Sequence, residues 1–164
     1  MVREISAGGV VVRNKDGAWW VAAIEPADPS PVVDATRKAA PSKPKTVLCL
    51  PKGLVDSGEK ALDAAVREVR EETGITAEPI AKLADIKYVY VRAWGDRARV
   101  FKIVSFYLFL YKSGKIDAIS EDMRIEVAAA NWIPLEDAPK LLAYRGEKQM
   151  ARKAIEYLAA HPEL

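Results

Sequence analysis

One cysteine and one histidine are all the chain has of either. A lone Cys49 cannot form an internal disulfide, so the fold must be held by its core, as suits a reducing cytosol. Cys49 lies in an apolar stretch and reads as a small core residue. His161, near the carboxyl terminus, reads as a solvated tail residue and is no metal site by itself. No apolar run approaches membrane-spanning length, and the opening residues MVREIS lack the apolar region of a secretory signal. These absences predict a soluble cytoplasmic protein with no membrane partner. An excess of one charge is missing too: 25 basic against 23 acidic residues leave +2. Bulk charge therefore gives no argument for nucleic-acid binding.

What is present is a chain of 164 residues, half of them apolar, enough for one domain over residues 1–164 with a sizeable core. The informative stretch is Leu48 to Ile75, LCLPKGLVDSGEKALDAAVREVREETGI. Its second half reads as an amphipathic helix, with Ala61, Leu62, Ala65, Val66 and Val69 expected on the docking face. Gly74 supplies a left-handed stop, and Ile75 leaves the helix as an apolar anchor. Glu68, Glu71 and Glu72 fall at i, i+3 and i+4, expected on the other side. Like charges at this spacing cost a helix roughly 0.2–0.5 kcal/mol per pair, so the cluster makes sense if cations sit over it. All three are hard oxygen ligands without adjacent His or Cys, which favours magnesium or manganese over zinc. Upstream, Pro51-Lys52-Gly53 reads as a turn in which Gly53 lets the backbone come close to whatever the carboxylates hold. Lys52 and Arg67 put positive charge beside the acids, to receive phosphate or to hold a carboxylate.

Gly53, Glu59, Arg67, Glu68, Val69, Glu71, Glu72, Gly74 and Ile75 resemble the signature of the Nudix hydrolases, with every specified position matched across residues 53–75. The resemblance implies an α/β fold, a curved mixed β-sheet sandwiched between helices. It implies magnesium-dependent hydrolysis of a phosphoanhydride, with Glu68, Glu71, Glu72 and the Gly53 carbonyl as metal ligands. Arg67 would orient the glutamates, Glu59 would brace the loop, and Glu68 is the first choice of general base. Glu126, before the last strand, is a further candidate ligand or base, or an ordinary surface glutamate.

The rest of the chain fits that layout. A strand over residues 4–13 carries Gly8-Gly9, a sign of a bulge or close backbone approach, and Ser6 to Gly9 would line the pocket or pack in the core. A turn at Asn14–Gly17 leads to a second strand over 18–25. Residues 26–45 hold five prolines and the bases Arg37, Lys38, Lys43 and Lys45. They read as a long loop, either disordered or closing over a polyphosphate. Strands follow over 46–50, 78–92 and 100–112, the last expected to be central. A final strand carries Trp132, a short helix ends at Leu142, and a helix from Glu147 to about Ala160 presents Met150, Ala154, Ile155 and Leu158.

Within the family, LPKG at 50–53, IKYVY at 86–90, FKIVSFYL at 101–108 and WIPLEDAPKLLAYRGEKQMARKA at 132–154 are similar to the diadenosine tetraphosphate hydrolases that cleave asymmetrically. On that likeness Lys102 and Tyr107 would contact phosphates, Tyr88 or Tyr90 a phosphate or base, and Arg145 and Lys148 the distal phosphates. Each tyrosine has a second reading as a sheet aromatic. The substrate partner implied is a small nucleotide or polyphosphate. Damaged nucleoside triphosphates, diphosphoinositol polyphosphates and RNA 5′ ends remain alternatives, as does a noncatalytic nucleotide sensor.

Overall fold

A computed structural model describes residues 2–27, 46–93 and 95–164. The proline-rich loop reading and its four bases therefore fall almost wholly outside the described residues. Strand β1 (Val2–Lys15) runs through the middle of the sheet. Its Val10-Val11-Val12 run is fully buried because both faces are covered, which is why it reads as continuous rather than alternating. Asp16 and Gly17 both have positive φ, 55° and 84°, and join β1 to β2 (Ala18–Pro26) in a two-residue hairpin turn.

The strand expected over residues 46–50 is displaced. Cys49 makes only an isolated bridge to Ile24, and the paired strand is β3 (Lys52–Leu54), inside the segment read as a turn. Pro51 has no N–H for a ladder, but its carbonyl accepts from the Gly9 N–H at 3.1 Å, and β3 lies antiparallel on Ser6–Gly8. Gly8 permits this: a Cβ there would run into the Pro51 carbonyl and stand 2.7 Å from Lys52 Cβ.

Helix α1 (Ala61–Thr73) is followed by β4 (Thr76–Val91) and β5 (Arg99–Ser113). Next come β6 (Val127–Pro134), the short α2 (Ala138–Leu141) and α3 (Arg145–Ala160). The sheet order is β4-β5-β1-β2-β6, with β1 and β5 parallel and the other pairs antiparallel. Thus β1, not β5, takes the centre. One face packs on α2 and α3 through Val10, Val12, Phe106, Leu108, Met150 and Ala154. The other packs on α1, where Ala64, Ala65 and Val69 meet Ala7, Val11, Ala22 and Phe109. This is the mixed sheet between helices that the pattern implied. Among the described residues no helix is long and apolar enough to cross a membrane.

The buried face of α1 differs from the expected one. Leu62 and Val66 are 37% and 36% exposed, whereas Glu68 and Glu72 are 8% and 5% exposed and lie on the inward side with Ala64, Ala65 and Val69. Gly74 ends the helix at φ 81°, its N–H donating to the Arg70 carbonyl, and Ile75 is fully buried.

Candidate active site

Arg67 organises the acidic segment. Its Nε and Nη2 each donate to one Glu59 oxygen at 2.9 Å, a bidentate pair, and Nη2 also reaches the Leu54 carbonyl at 3.0 Å. Nη1 donates to Glu68 at 2.8 Å and Glu71 at 3.2 Å. Glu59 in turn accepts from the Asp56 N–H at 3.0 Å, tying the loop to the start of α1. Arg67 holds the Glu59 carboxyl down at about 2, and Glu59 and Glu68 together raise the guanidinium further.

Glu68 and Glu72 are raised instead, because burial opposes their charged forms. Glu72 reaches about 8 despite accepting the Lys52 N–H at 2.9 Å; the negative charges of Glu68 and Glu126 push in the same direction as burial. Glu126 sits exposed at the end of a 3-10 turn over Asp122–Ile125, which Arg124 pins through Asp117 at 2.8 Å. Glu68, Glu72 and Glu126 thus act on one another across a shared space. Gly53 borders that space, since a Cβ on it would collide with the Glu68 carboxylate.

These donors fit a hard divalent ion: they are oxygens, they carry excess negative charge against low dielectric, and a glycine backbone lies against them. Among the described residues no three His, Cys, Asp or Glu side chains already converge as a metal cage. Glu68 and Glu71 are instead turned to Arg67, and Glu72 to the β3 backbone.

The substrate-side residues divide. Tyr88, Lys102 and Glu4 are register partners across β4, β5 and β1 on the face that α3 covers. Tyr90 donates to Glu4 at 2.8 Å, and the Lys102 ammonium stands 3.9 Å from the same oxygen. Burial lowers the Lys102 amine, and burial and Glu4 push the Tyr90 phenol up to about 12. The Tyr88 and Tyr90 rings lie 6.2 Å apart at 41°. Ser6 Oγ, next along β1, is buried without a hydrogen-bond partner.

Two expectations need correcting. Tyr107 packs with the α1 cluster, on the opposite face from Lys102, because residues five apart on a strand point to opposite sides. Lys148 donates to the Pro139 and Lys140 carbonyls at 3.0 and 3.1 Å, capping α2 rather than facing a phosphate. Of the two readings of Lys52, receiving phosphate or holding a carboxylate, the second matches: its ammonium is on Glu147 at 2.8 Å, an acid of α3 and not of α1. Arg145 is exposed at the start of α3. Cys49 is core: burial pushes its thiol up to about 12.

Two residues were missed. Glu4 shares a strand face with apolar residues and gave no sequence signal. Glu147 did: an acid on the same stripe as Met150, Ala151, Ala154 and Leu158 has to be paired if the stripe is buried.

A sandwiched mixed sheet with a carboxylate helix clamped by one arginine defines a Nudix domain. The NUDIX domain sequence model matches residues 3–154, and the chain belongs to the Nudix hydrolase family. It is 36% identical over 157 residues to a Mycobacterium tuberculosis protein named as mutator protein MutT4, covering 96% of this chain and 56% of that one. The chain thus spans little more than half the length of that relative. It is 31% identical to the asymmetrical bis(5′-nucleosyl)-tetraphosphatase of Mus musculus, over 68% of this chain and 72% of that one. Among solved structures, a Caenorhabditis elegans Ap4A hydrolase binary complex shares the fold with a TM-score of 0.63 and 23% identity, over 96% of this chain and 98% of that one.

Proposed function

We propose that the protein hydrolyses a phosphoanhydride in a nucleotide-linked polyphosphate, with magnesium or manganese as cofactor, and that a dinucleoside tetraphosphate is the preferred substrate class. The observation carrying the reaction is the Arg67 clamp, which gathers Glu59, Glu68 and Glu71 on the site that Gly53 and Glu72 border. The substrate class is supported by the likeness to the murine tetraphosphatase and by the Tyr88, Tyr90 and Lys102 cluster.

In this mechanism Glu68, Glu71, Glu72 and the Gly53 carbonyl would hold the metal, with Glu126 as a further ligand. A bound divalent ion supplies charge neutralisation at the phosphates and a water acidic enough to ionise near neutral pH. Glu68, its carboxyl made more basic by burial and oriented by Arg67, would be the group that takes the proton of the attacking water. Lys102 meets phosphate charge in place of Glu4, and Tyr88 and Tyr90 offer ring faces to a base, a contact that tolerates several bases.

A substrate panel with and without magnesium tests this. Diadenosine tetraphosphate is expected to exceed single nucleoside triphosphates in kcat/KM by about tenfold or more. Asymmetric cleavage should release a nucleoside triphosphate and a monophosphate instead of two diphosphates, and isotopically labelled water should then show which phosphorus is attacked. The MutT4 likeness favours a second reading, removal of damaged nucleoside triphosphates. Equal or faster turnover of triphosphates would select it.

A further inference from the structure

Lys52 stands between two acids. Its backbone N–H holds Glu72 at 2.9 Å, and its ammonium pairs with Glu147 at 2.8 Å. Glu147 is 3% exposed, and its second oxygen accepts from the Leu50 N–H at 2.5 Å. The Tyr144 ring lies 5.8 Å from the same ammonium. Glu72 also acts electrostatically on that ammonium, less strongly than Glu147 does. A half-buried ammonium pairs with whatever carboxylate is within reach. A lysine turned to Glu72 would neutralise the very charge a divalent ion needs and would repel the ion besides.

The Leu50 bond does not by itself demand a charge at position 147, because the oxygen of a neutral amide also accepts from an N–H. Nor does packing, since an apolar side chain would suit a stripe shared with Met150 and Ala151. What requires the negative charge is the lysine. We infer that Glu147 is a positioning residue that parks the Lys52 ammonium on α3 and so keeps Glu68, Glu72 and Glu126 available to a divalent cation. This rests on the metal-dependent reading of the site and adds to it a buried acid from a helix outside the signature.

The test is Mn2+ binding to the purified full chain, read from the free-ion paramagnetic signal without substrate. Glu147→Gln keeps the acceptor for Leu50 but frees the lysine, and is expected to weaken Mn2+ binding by about tenfold or more. Adding Lys52→Met should restore affinity to within about threefold of the unaltered chain, a recovery read in ion affinity and not only in stability, where any buried ion pair is non-additive. With magnesium and substrate, kcat should follow the same order while KM moves less. Unchanged affinity in Glu147→Gln overturns the inference, as does a double variant that binds no better than Glu147→Gln. Should Glu147→Gln fail to fold, Lys52→Met with Glu147→Met replaces the ion pair by apolar contacts. The inference requires that chain to bind Mn2+ like the unaltered one, and loss of binding there overturns it. An unaltered chain that binds no Mn2+ overturns the metal-dependent reading too, which separates the two failures.

Discussion

At the scale of single residues, burial and charge conflict most at Glu72. Its carboxyl loses a proton near 4.5 when unperturbed and at about 8 in the fold, where burial disfavours the anion. The folded state therefore binds that proton more tightly than the unfolded chain. Its contribution to stability is complete below the unfolded value and is lost as pH rises through the folded one. The metal-free protein should accordingly show a melting temperature that falls between about pH 5 and about pH 9, and Glu72→Gln should flatten that slope. The same variant loses a charged ligand, so its kcat with magnesium should drop by about 100-fold while its fold persists. A melting curve that is flat in the unaltered protein would contradict the placement of Glu72. Arg67 shows the opposite case, in which one partly buried acid, Glu59, is stabilised as its anion by a planar fork that no lysine could imitate.

At the scale of elements, α1 turns Glu68 and Glu72 inward and leaves two aliphatics outside. Leu62→Lys should change stability by no more than about 0.5 kcal/mol, because the side chain is more than a third exposed. Val69→Ala should cost roughly 2 kcal/mol through a cavity against Ala7 and Phe109. Chemical denaturation of the two variants checks this, and equal losses would mean the helix is rotated from the position described. α3 shows the same principle from the other side. Its buried stripe also contains a glutamate, Glu147, which is tolerated there because Lys52 and the Leu50 N–H satisfy it.

At the scale of the molecule, the sheet separates two sets of side chains that strand pairing alone would merge. Lys102 lies on the α3 face beside Glu4 and Tyr90, and Tyr107 lies on the α1 face. Lys102→Ala should raise KM for a polyphosphate substrate by about tenfold, whereas Tyr107→Phe should leave it within about twofold. Steady-state kinetics on both variants checks this sidedness, and equal effects would contradict it.

The sequence by itself determined the class of fold, the extent of α1 and the hairpin, and the spacing that lets one arginine reach three acids. Each is a local consequence of periodicity, turn chemistry or a fixed number of residues per helical turn. Only the tertiary structure decided that Glu68 and Glu72 face inward, that β3 begins after Pro51, that β1 is central, and that Glu4 and Glu147 belong beside the site. A hydrophobic count places the most apolar face of α1 toward the core. Close approach of β3 at Gly8 and Gly53 makes the carboxylate face the one that docks, and that depends on residues far apart in the chain.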